Sequence, residues 1–209
     1  FFISKNYNRA SKTEQLKCQQ QYEEIYKSYQ NKPQPSITDV KTTINLFPQK
    51  NSYNVTGNYM LVNKTKFDIS EILMNTSNEI SWNAITSSQL ILEKKDTEFG
   101  QYLFKTKQKM MPNDSIMVSF NFEYKIQPIN GHQSFNAIVE NGAFMRISNY
   151  LPKIGYNKDN EIGDELERKK RNMPLQDAMT KVDAPLENPY NYEFINFDAI
   201  ISTSVNQTA

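Results

Sequence analysis

The stretch Ile116-Met117-Val118-Ser119-Phe120-Asn121-Phe122-Glu123-Tyr124-Lys125-Ile126 sets six apolar side chains against Met117, Ser119, Asn121, Glu123 and Lys125 in strict alternation. Successive side chains of a strand point to opposite faces, so a period of two describes a strand with one buried and one wet face. The signal recurs upstream. Val40, Thr42, Ile44 and Leu46 alternate with Lys41, Thr43 and Asn45, and Tyr53, Val55, Gly57, Tyr59 and Leu61 alternate with Asn54, Thr56 and Asn58. Shorter strand candidates lie at 69–74, 90–93, 102–106, 137–140 and 144–148. Turn residues separate them: Pro48-Gln49-Lys50-Asn51, Pro112-Asn113-Asp114 and the pair Asn130-Gly131. Many short strands with one buried face and hairpin spacing predict a mainly β chain, an antiparallel β-sandwich.

The flanks read differently. Ser11 and Glu14 have capping-box spacing, and Leu16, Tyr22, Ile25, Tyr26 and Tyr29 then recur at helical spacing among Gln, Glu and Lys. A helix ending near Gln30 is expected, because Pro33-Gln34-Pro35 removes a donor and restrains the residue before it. It reads either as a spacer or as a terminal helix packed on the body. Past Pro152, large apolar residues thin out. The charged run 164–171 has acids before bases, which suits a short, solvated helix within a long late connection marked by Pro174, Pro185 and Pro189. A last strand is expected where Ile195, Phe197, Ala199 and Ile201 alternate with Asn196, Asp198 and Ser202.

Composition narrows the chemistry. A 38% hydrophobic and 12% aromatic share fits a chain with a real core, and a net charge of +1 gives no electrostatic reason to expect nucleic acid. Only 4 of the 24 basic residues are Arg, the residue best suited to forked phosphate contacts. The lone Cys18 excludes an internal disulfide and a multi-cysteine metal site. One His, His132, cannot build a His-Glu-x-x-His zinc helix, and it follows Asn130-Gly131 as a turn residue would. With one His and one Cys, the Ser-His-Asp and Cys-His nucleophile systems are absent. The acid pairs Glu23/Glu24 and Asp164/Glu165 read as solvated neighbours on polar helices. A pair of carboxylates drawn from separate strands stays open. The five Asn-x-Ser/Thr sites, at Asn54, Asn63, Asn75, Asn113 and Asn206, are what so Asn-rich a chain yields by chance. No apolar run approaches the roughly 18–20 residues of a membrane helix. The chain opens Phe1-Phe2-Ile3 and stops after Thr208-Ala209, which leads us to expect a piece of a longer polypeptide.

Several stretches together carry a resemblance. Pro33-Gln34-Pro35-Ser36-Ile37-Thr38-Asp39-Val40 runs into a strand ending Leu46-Phe47-Pro48, followed by Val55-Thr56-Gly57-Asn58-Tyr59-Met60-Leu61-Val62-Asn63-Lys64-Thr65. Later come Glu140-Asn141-Gly142-Ala143-Phe144, Leu151-Pro152-Lys153-Ile154-Gly155-Tyr156-Asn157 and Ile195-Asn196-Phe197-Asp198-Ala199-Ile200-Ile201-Ser202-Thr203-Ser204. Over about residues 30–209 the chain resembles the N-terminal β-domain of the aminopeptidase N family of zinc peptidases, the M1 peptidases. It is more closely similar to the version fused to the membrane helices of ABC-type permeases in Bacteroidetes-like bacteria.

The resemblance implies a saddle-like sandwich and a division into a membrane-proximal segment (1–10), an N-terminal amphipathic helix or spacer (11–32) and the β-sandwich domain (33–209). It implies no catalytic residue and no cofactor in this chain, with zinc held only by a peptidase-like domain further along the polypeptide. Partners would be that domain, the membrane domain and possible peptide ligands, on the periplasmic face of the inner membrane. In family peptidases a loop of this domain offers an acid or amide to the substrate's free amino group, and the matching residues are Glu140 and Asn141. A second reading is an interaction domain coupling a permease to an extracytoplasmic partner. A third is a carbohydrate-binding sandwich, for which Tyr7, Trp82, Tyr150, Tyr190 and Tyr192 are the candidate aromatics.

Overall fold

Residues 11–77, 80–125, 137–139, 142–144, 151–176 and 195–204 are described by the computed structural model. They belong to two units: Pro33–Gly155 with Glu193–Ala209, and Phe1–Lys32 with Tyr156–Tyr192.

The first unit is the sandwich. Its strands are β1 (Ser36–Phe47), β2 (Ser52–Val62), β3 (Ile69–Asn75), β4 (Ser81–Thr86), β5 (Leu90–Asp96), β6 (Gln101–Met110), β7 (Ser115–Lys125), β8 (Ala137–Val139), β9 (Gly142–Phe144), β10 (Lys153–Ile154) and β11 (Asn196–Ser202). A five-stranded sheet runs β11-β1-β2-β7-β4, a four-stranded sheet runs β10-β3-β6-β5, and β8 and β9 pair with each other. The alternation read in the sequence is the alternation of burial. On β7, Ile116, Val118, Phe120, Phe122 and Tyr124 are buried, and on β2 so are Tyr53, Val55, Tyr59 and Leu61. These residues meet Ile72, Met74, Tyr102, Phe104 and Met110 from the other sheet in one apolar core. Each such side chain, fully buried, stabilises the fold by about 1.5–3 kcal/mol.

One row of that core depends on a missing side chain. Gly57 sits opposite both Thr42 and Phe120, and a Cβ built on it would lie 2.4 Å from Phe120 Cζ and 3.0 Å from the Lys41 carbonyl oxygen. The Phe120 ring occupies that space, with its centroid 4.8 Å from that of Tyr59. Where β2 ends, Asn63 is fully buried and closes the loop around itself. Its amide donates to Phe67 O and Met110 O, both at 2.8 Å, and its carbonyl accepts from Thr65 N at 3.0 Å and Thr65 Oγ1 at 2.7 Å. The expected turns after Pro48 and Pro112 place Asn51 (φ 47°) and Asn113 (φ 71°) in left-handed backbone, which Asn tolerates better than most residues.

Several strand expectations need correction. β9 covers Gly142–Phe144, ahead of the expected 144–148, and the two-residue β10 was not anticipated. β4 was not anticipated, because a bulge between Trp82 and Ala84 breaks its period of two. β11 forms at the expected place but pairs parallel with β1, Val40 facing Phe197 and Ile44 facing Ile201, in an otherwise antiparallel arrangement. All seven of its residues are exposed, so the expected buried face is missing.

The second unit is helical. Helix α1 (Lys12–Tyr26) starts at the Ser11 capping box and runs into a 3₁₀ turn at Lys27–Tyr29. Helix α2 (Glu165–Lys170) is capped by the Asp164 carboxylate, which accepts from the Leu166 and Glu167 amides. Tyr22 and Tyr26 are buried, whereas Ile25, 45% exposed, is not part of the packed face. That face instead carries a charge. Arg168 forms a forked pair with Glu23, with Nη1 donating to Oε1 at 2.9 Å and Nη2 to Oε2 at 2.8 Å. Their side chains are only 1% and 5% exposed. The expectation that Glu23 and the run 164–171 are solvated is therefore wrong at Glu23 and Arg168. Beside this pair, Lys27 Nζ bonds Glu161 Oε1 at 2.7 Å, and Gln19 donates to the Glu161 carbonyl oxygen. Burial pushes the Glu161 carboxyl up, but its hydrogen bonds, led by that from Lys27, outweigh this and hold it below the usual range. Among the described residues, no helix is long and apolar enough to cross a membrane.

Candidate functional site

The site residues expected from sequence, Glu140 and Asn141, lie outside the described residues, as do His132, Tyr7, Tyr150, Tyr190 and Tyr192. The strands on either side of the pair are described: β8 and β9 are antiparallel with Val139 opposite Gly142 and Ala137 opposite Phe144. Phe144 is 63% exposed. Trp82, the one described aromatic of the carbohydrate-binding reading, is committed to the sandwich. Its ring lies 4.9 Å from that of Phe122, and its indole N–H donates to Ser77 O at 3.1 Å.

Two of the stretches that carried the resemblance converge on β3. The Gln34 side chain behaves there like a peptide group of an added strand: Nε2 donates to Glu71 O at 3.0 Å, and Oε1 accepts from Leu73 N at 2.9 Å. Gly155 is the other member. Its N–H donates to Leu73 O at 2.8 Å, and its carbonyl oxygen accepts from the buried Asn75 amide. It takes φ +86°, and Gln34 Cγ lies 3.6 Å from where a Cβ would sit. A glycine is thus required on backbone grounds. Pro33-Gln34-Pro35 and Ile154-Gly155 are there to finish the β3 edge, work that needs no chemistry on a ligand.

One surface with room for a ligand was not singled out from the sequence. It is the outer face of the five-stranded sheet, where a cavity of about 390 Å³ is lined by Lys41, Thr43, Thr56, Asn58, Thr86 and Ser119, with Asn121, Asp198 and Ile200 also on its rim. Register sets the order. Asp198, Lys41, Asn58, Ser119 and Thr86 form one cross-strand row, and Ile200, Thr43, Thr56, Asn121 and Ala84 the next. Ser119 Oγ donates to Asn58 Oδ1 at 2.7 Å and Asn83 Nδ2 to Asn121 Oδ1 at 3.1 Å, so part of this amide and hydroxyl capacity is already in use. One row further along, Asn196 donates to Asp39 at 2.9 Å, and this bond, aided by Thr38, holds the Asp39 carboxyl below its ordinary range. The lining mixes short hydroxyl and amide groups with the apolar Ala84, Phe120 and Ile200, which suits a neutral ligand that has both polar and apolar parts. The lining offers no nucleophile and base in contact, and among the described residues no cluster of three or more His, Cys, Asp or Glu is placed to hold a metal ion. A second, polar cavity of about 620 Å³ lies where β6 meets β7, lined by residues including Lys107, Lys109, Asn113 and Asp114. These positions read in sequence as wet faces and turns, and nothing in the alternation distinguishes a wet face that is concave from one that is not.

No protein-family model matches the chain, and no curated protein matches it. Among solved structures it is similar to an M1 zinc metallopeptidase from Deinococcus radiodurans, with 5% identity and a TM-score of 0.36 over 45% of this chain and 21% of that one. A mutant of that enzyme bound to a Tyr-Ser-Ala substrate matches at 7% identity and a TM-score of 0.35. A two-domain M1 zinc metallopeptidase mutant bound to L-tryptophan matches at 8% identity and a TM-score of 0.35, over 46% of this chain and 22% of that one. The match spans about a fifth of those enzymes' length.

Proposed function

We propose that this chain is a non-catalytic, extracytoplasmic domain of a membrane-anchored aminopeptidase-like protein that also carries ABC-type permease helices, and that it forms one wall of a peptide cleft. The observation that carries the reading is the joint presence of Asn141-Gly142-Ala143-Phe144 and Leu151-Pro152-Lys153-Ile154-Gly155-Tyr156-Asn157 in one β-sandwich chain. On this reading the periplasmic side of the inner membrane is the location. Zinc belongs to a domain further along the polypeptide, and Glu140 with Asn141 receives the substrate's ammonium group.

The test uses the intact native polypeptide. It should contain a His-Glu-x-x-His segment downstream of Ala209, and Glu140→Ala should raise the Michaelis constant for peptides with free N-termini while leaving N-blocked peptides unaffected. Absence of the zinc segment sinks the peptidase reading, and an unchanged Michaelis constant removes Glu140 from the site. A scaffold role, coupling a permease to an extracytoplasmic partner, is the second reading. It is favoured by the exposure of large apolar side chains along β11.

A further inference from the structure

Among the described residues, the two larger sheets present four edges, and three of them are guarded. β4 carries a bulge between Trp82 and Ala84. β5 carries a bulge between Leu92 and Lys94 and exposes Glu93, Lys94 and Lys95. β10 is two residues long. Bulges, charges and shortness are the devices by which natural sheets keep their edges from pairing. β11 has none of them. It is seven residues long, its register with β1 is unbroken, it contains no Lys, Arg or Pro, and Asp198 is its single charge.

Its two faces are also unusual. Register with β1 puts Phe197, Ala199 and Ile201 on the face that carries Val40, Thr42 and Ile44 into the core. Those three β1 residues are buried, yet Phe197 is 52% and Ile201 49% exposed, so the apolar row of the core runs out into solvent at this edge. On the other face Ile200 is 65% exposed.

We propose that the free edge of β11 pairs with β11 of a second copy of this chain, antiparallel and two-fold symmetric about Ala199. The sequence is self-complementary in that register. Phe197 faces Ile201 of the second copy on the core side, an aromatic and β-branched pair of the kind that stabilises sheets, and it does so twice. Asn196 faces Ser202, and Asp198 faces Ile200, so the two carboxylates never stand opposite each other. A parallel, in-register pairing would set Asp198 against Asp198. The antiparallel arrangement buries the same patch on both copies and closes on itself as a dimer, joining two five-stranded sheets through one continuous ladder. This goes beyond the domain's proposed place in a peptidase and does not depend on it.

The experiment is sedimentation velocity on the chain over a wide concentration range, with Ala199→Lys, Ala199→Glu and Phe197→Thr alongside. Ala199 is exposed, and far-UV circular dichroism with Trp82 fluorescence checks that each variant is folded. The wild-type chain should dimerise. Either charge at 199 should weaken association by about tenfold or more, because like charges then meet at the two-fold axis. An equimolar mixture of the Lys and Glu variants should associate again, which only a pairing that sets 199 against 199 allows. Phe197→Thr should weaken association without any rescue in the mixture. A wild-type chain that stays monomeric at every concentration overturns the proposal, as does an Ala199→Lys variant that dimerises like wild type. Failure of the mixture to associate overturns the register.

Discussion

Replacing Glu23 by Ala removes one half of a charge pair that water cannot reach. Arg168, 1% exposed, donates four hydrogen bonds: two to the Glu23 carboxylate, one to Ile162 O at 2.8 Å and one to Pro174 O at 2.6 Å. Glu23 in turn accepts from Ile162 N at 2.9 Å. Truncation therefore strands a guanidinium on two carbonyl oxygens and leaves a buried N–H without its acceptor. Breaking a buried pair from one side costs about 3–5 kcal/mol, and an unsatisfied buried donor adds about 1–2 kcal/mol. The expected loss of about 4–7 kcal/mol is most of what a small unit possesses, since whole domains have only about 5–15 kcal/mol. The pair as such is not expected to contribute that much. Replacing both partners, Glu23→Leu with Arg168→Met, should come within about 2 kcal/mol of wild type, because two desolvated charges then leave together. Urea unfolding followed by circular dichroism at 222 nm reads α1, while the fluorescence of the single tryptophan, Trp82, reads the sandwich separately. A Glu23→Ala variant whose 222 nm transition moves by less than about 1 kcal/mol would refute the reasoning, since a cost that small belongs to a solvated pair.

Three further outcomes follow from particular contacts. Gly57→Ala should cost about 1–3 kcal/mol or more by overpacking, because the Phe120 ring, packed against Tyr59, must shift to admit a Cβ 2.4 Å away; an unchanged melting temperature would show that the ring swings aside at no cost. Asn63→Ala should destabilise by about 2–4 kcal/mol, because Met110 O loses the Asn63 amide and Thr65 N loses its acceptor, and the folded chain offered to an oligosaccharyltransferase should stay unmodified at Asn63, with mass spectrometry as the check. Glu167, bonded by Lys170 and then Arg171, has its carboxyl held down to about 2 from an ordinary 4.5. A depressed acid contributes stability that is present above 4.5 and is lost as pH falls toward 2. Its side-chain NMR titration should have a midpoint near 2 that rises with salt, and a midpoint near 4.5 would contradict the geometry.

The long strands were legible because their environment is regular. β1, β2 and β7 each lie between two hydrogen-bonded neighbours with one face on the core, so burial follows sequence parity residue by residue. Parity fails where the ladder does. The β4 bulge shifts Ala84 relative to Trp82, and a six-residue strand cannot show a period across such a break. The polarity of α1 hid its packed face, since one of its buried residues is Glu23, matched by an Arg 145 positions away. Spacing within a helix carries no trace of a partner that distant. The candidate cavity was illegible for a different reason. Lys41, Asn58 and Ser119 alternate as any solvated face would, and they become neighbours only through a register that the chain reveals on folding.

The ladder between β1 and β11 joins residues 157 positions apart, such as Asp39 and Asn196. On a growing polypeptide, β1 emerges first and can pair with β2 across a short turn almost at once, but its other side waits for nearly the whole remaining chain. A separation that large makes closure slow relative to local hairpins. Through that interval the nascent sandwich carries a bare strand whose core-facing residues are Val40 and Ile44. Any chain that stops short of residue 196 would keep that opening for life, and it should be recovered with chaperones or in aggregates more than a chain that includes β11. The order in which the ribosome delivers the strands thus sets a window of vulnerability that the finished sheet no longer displays.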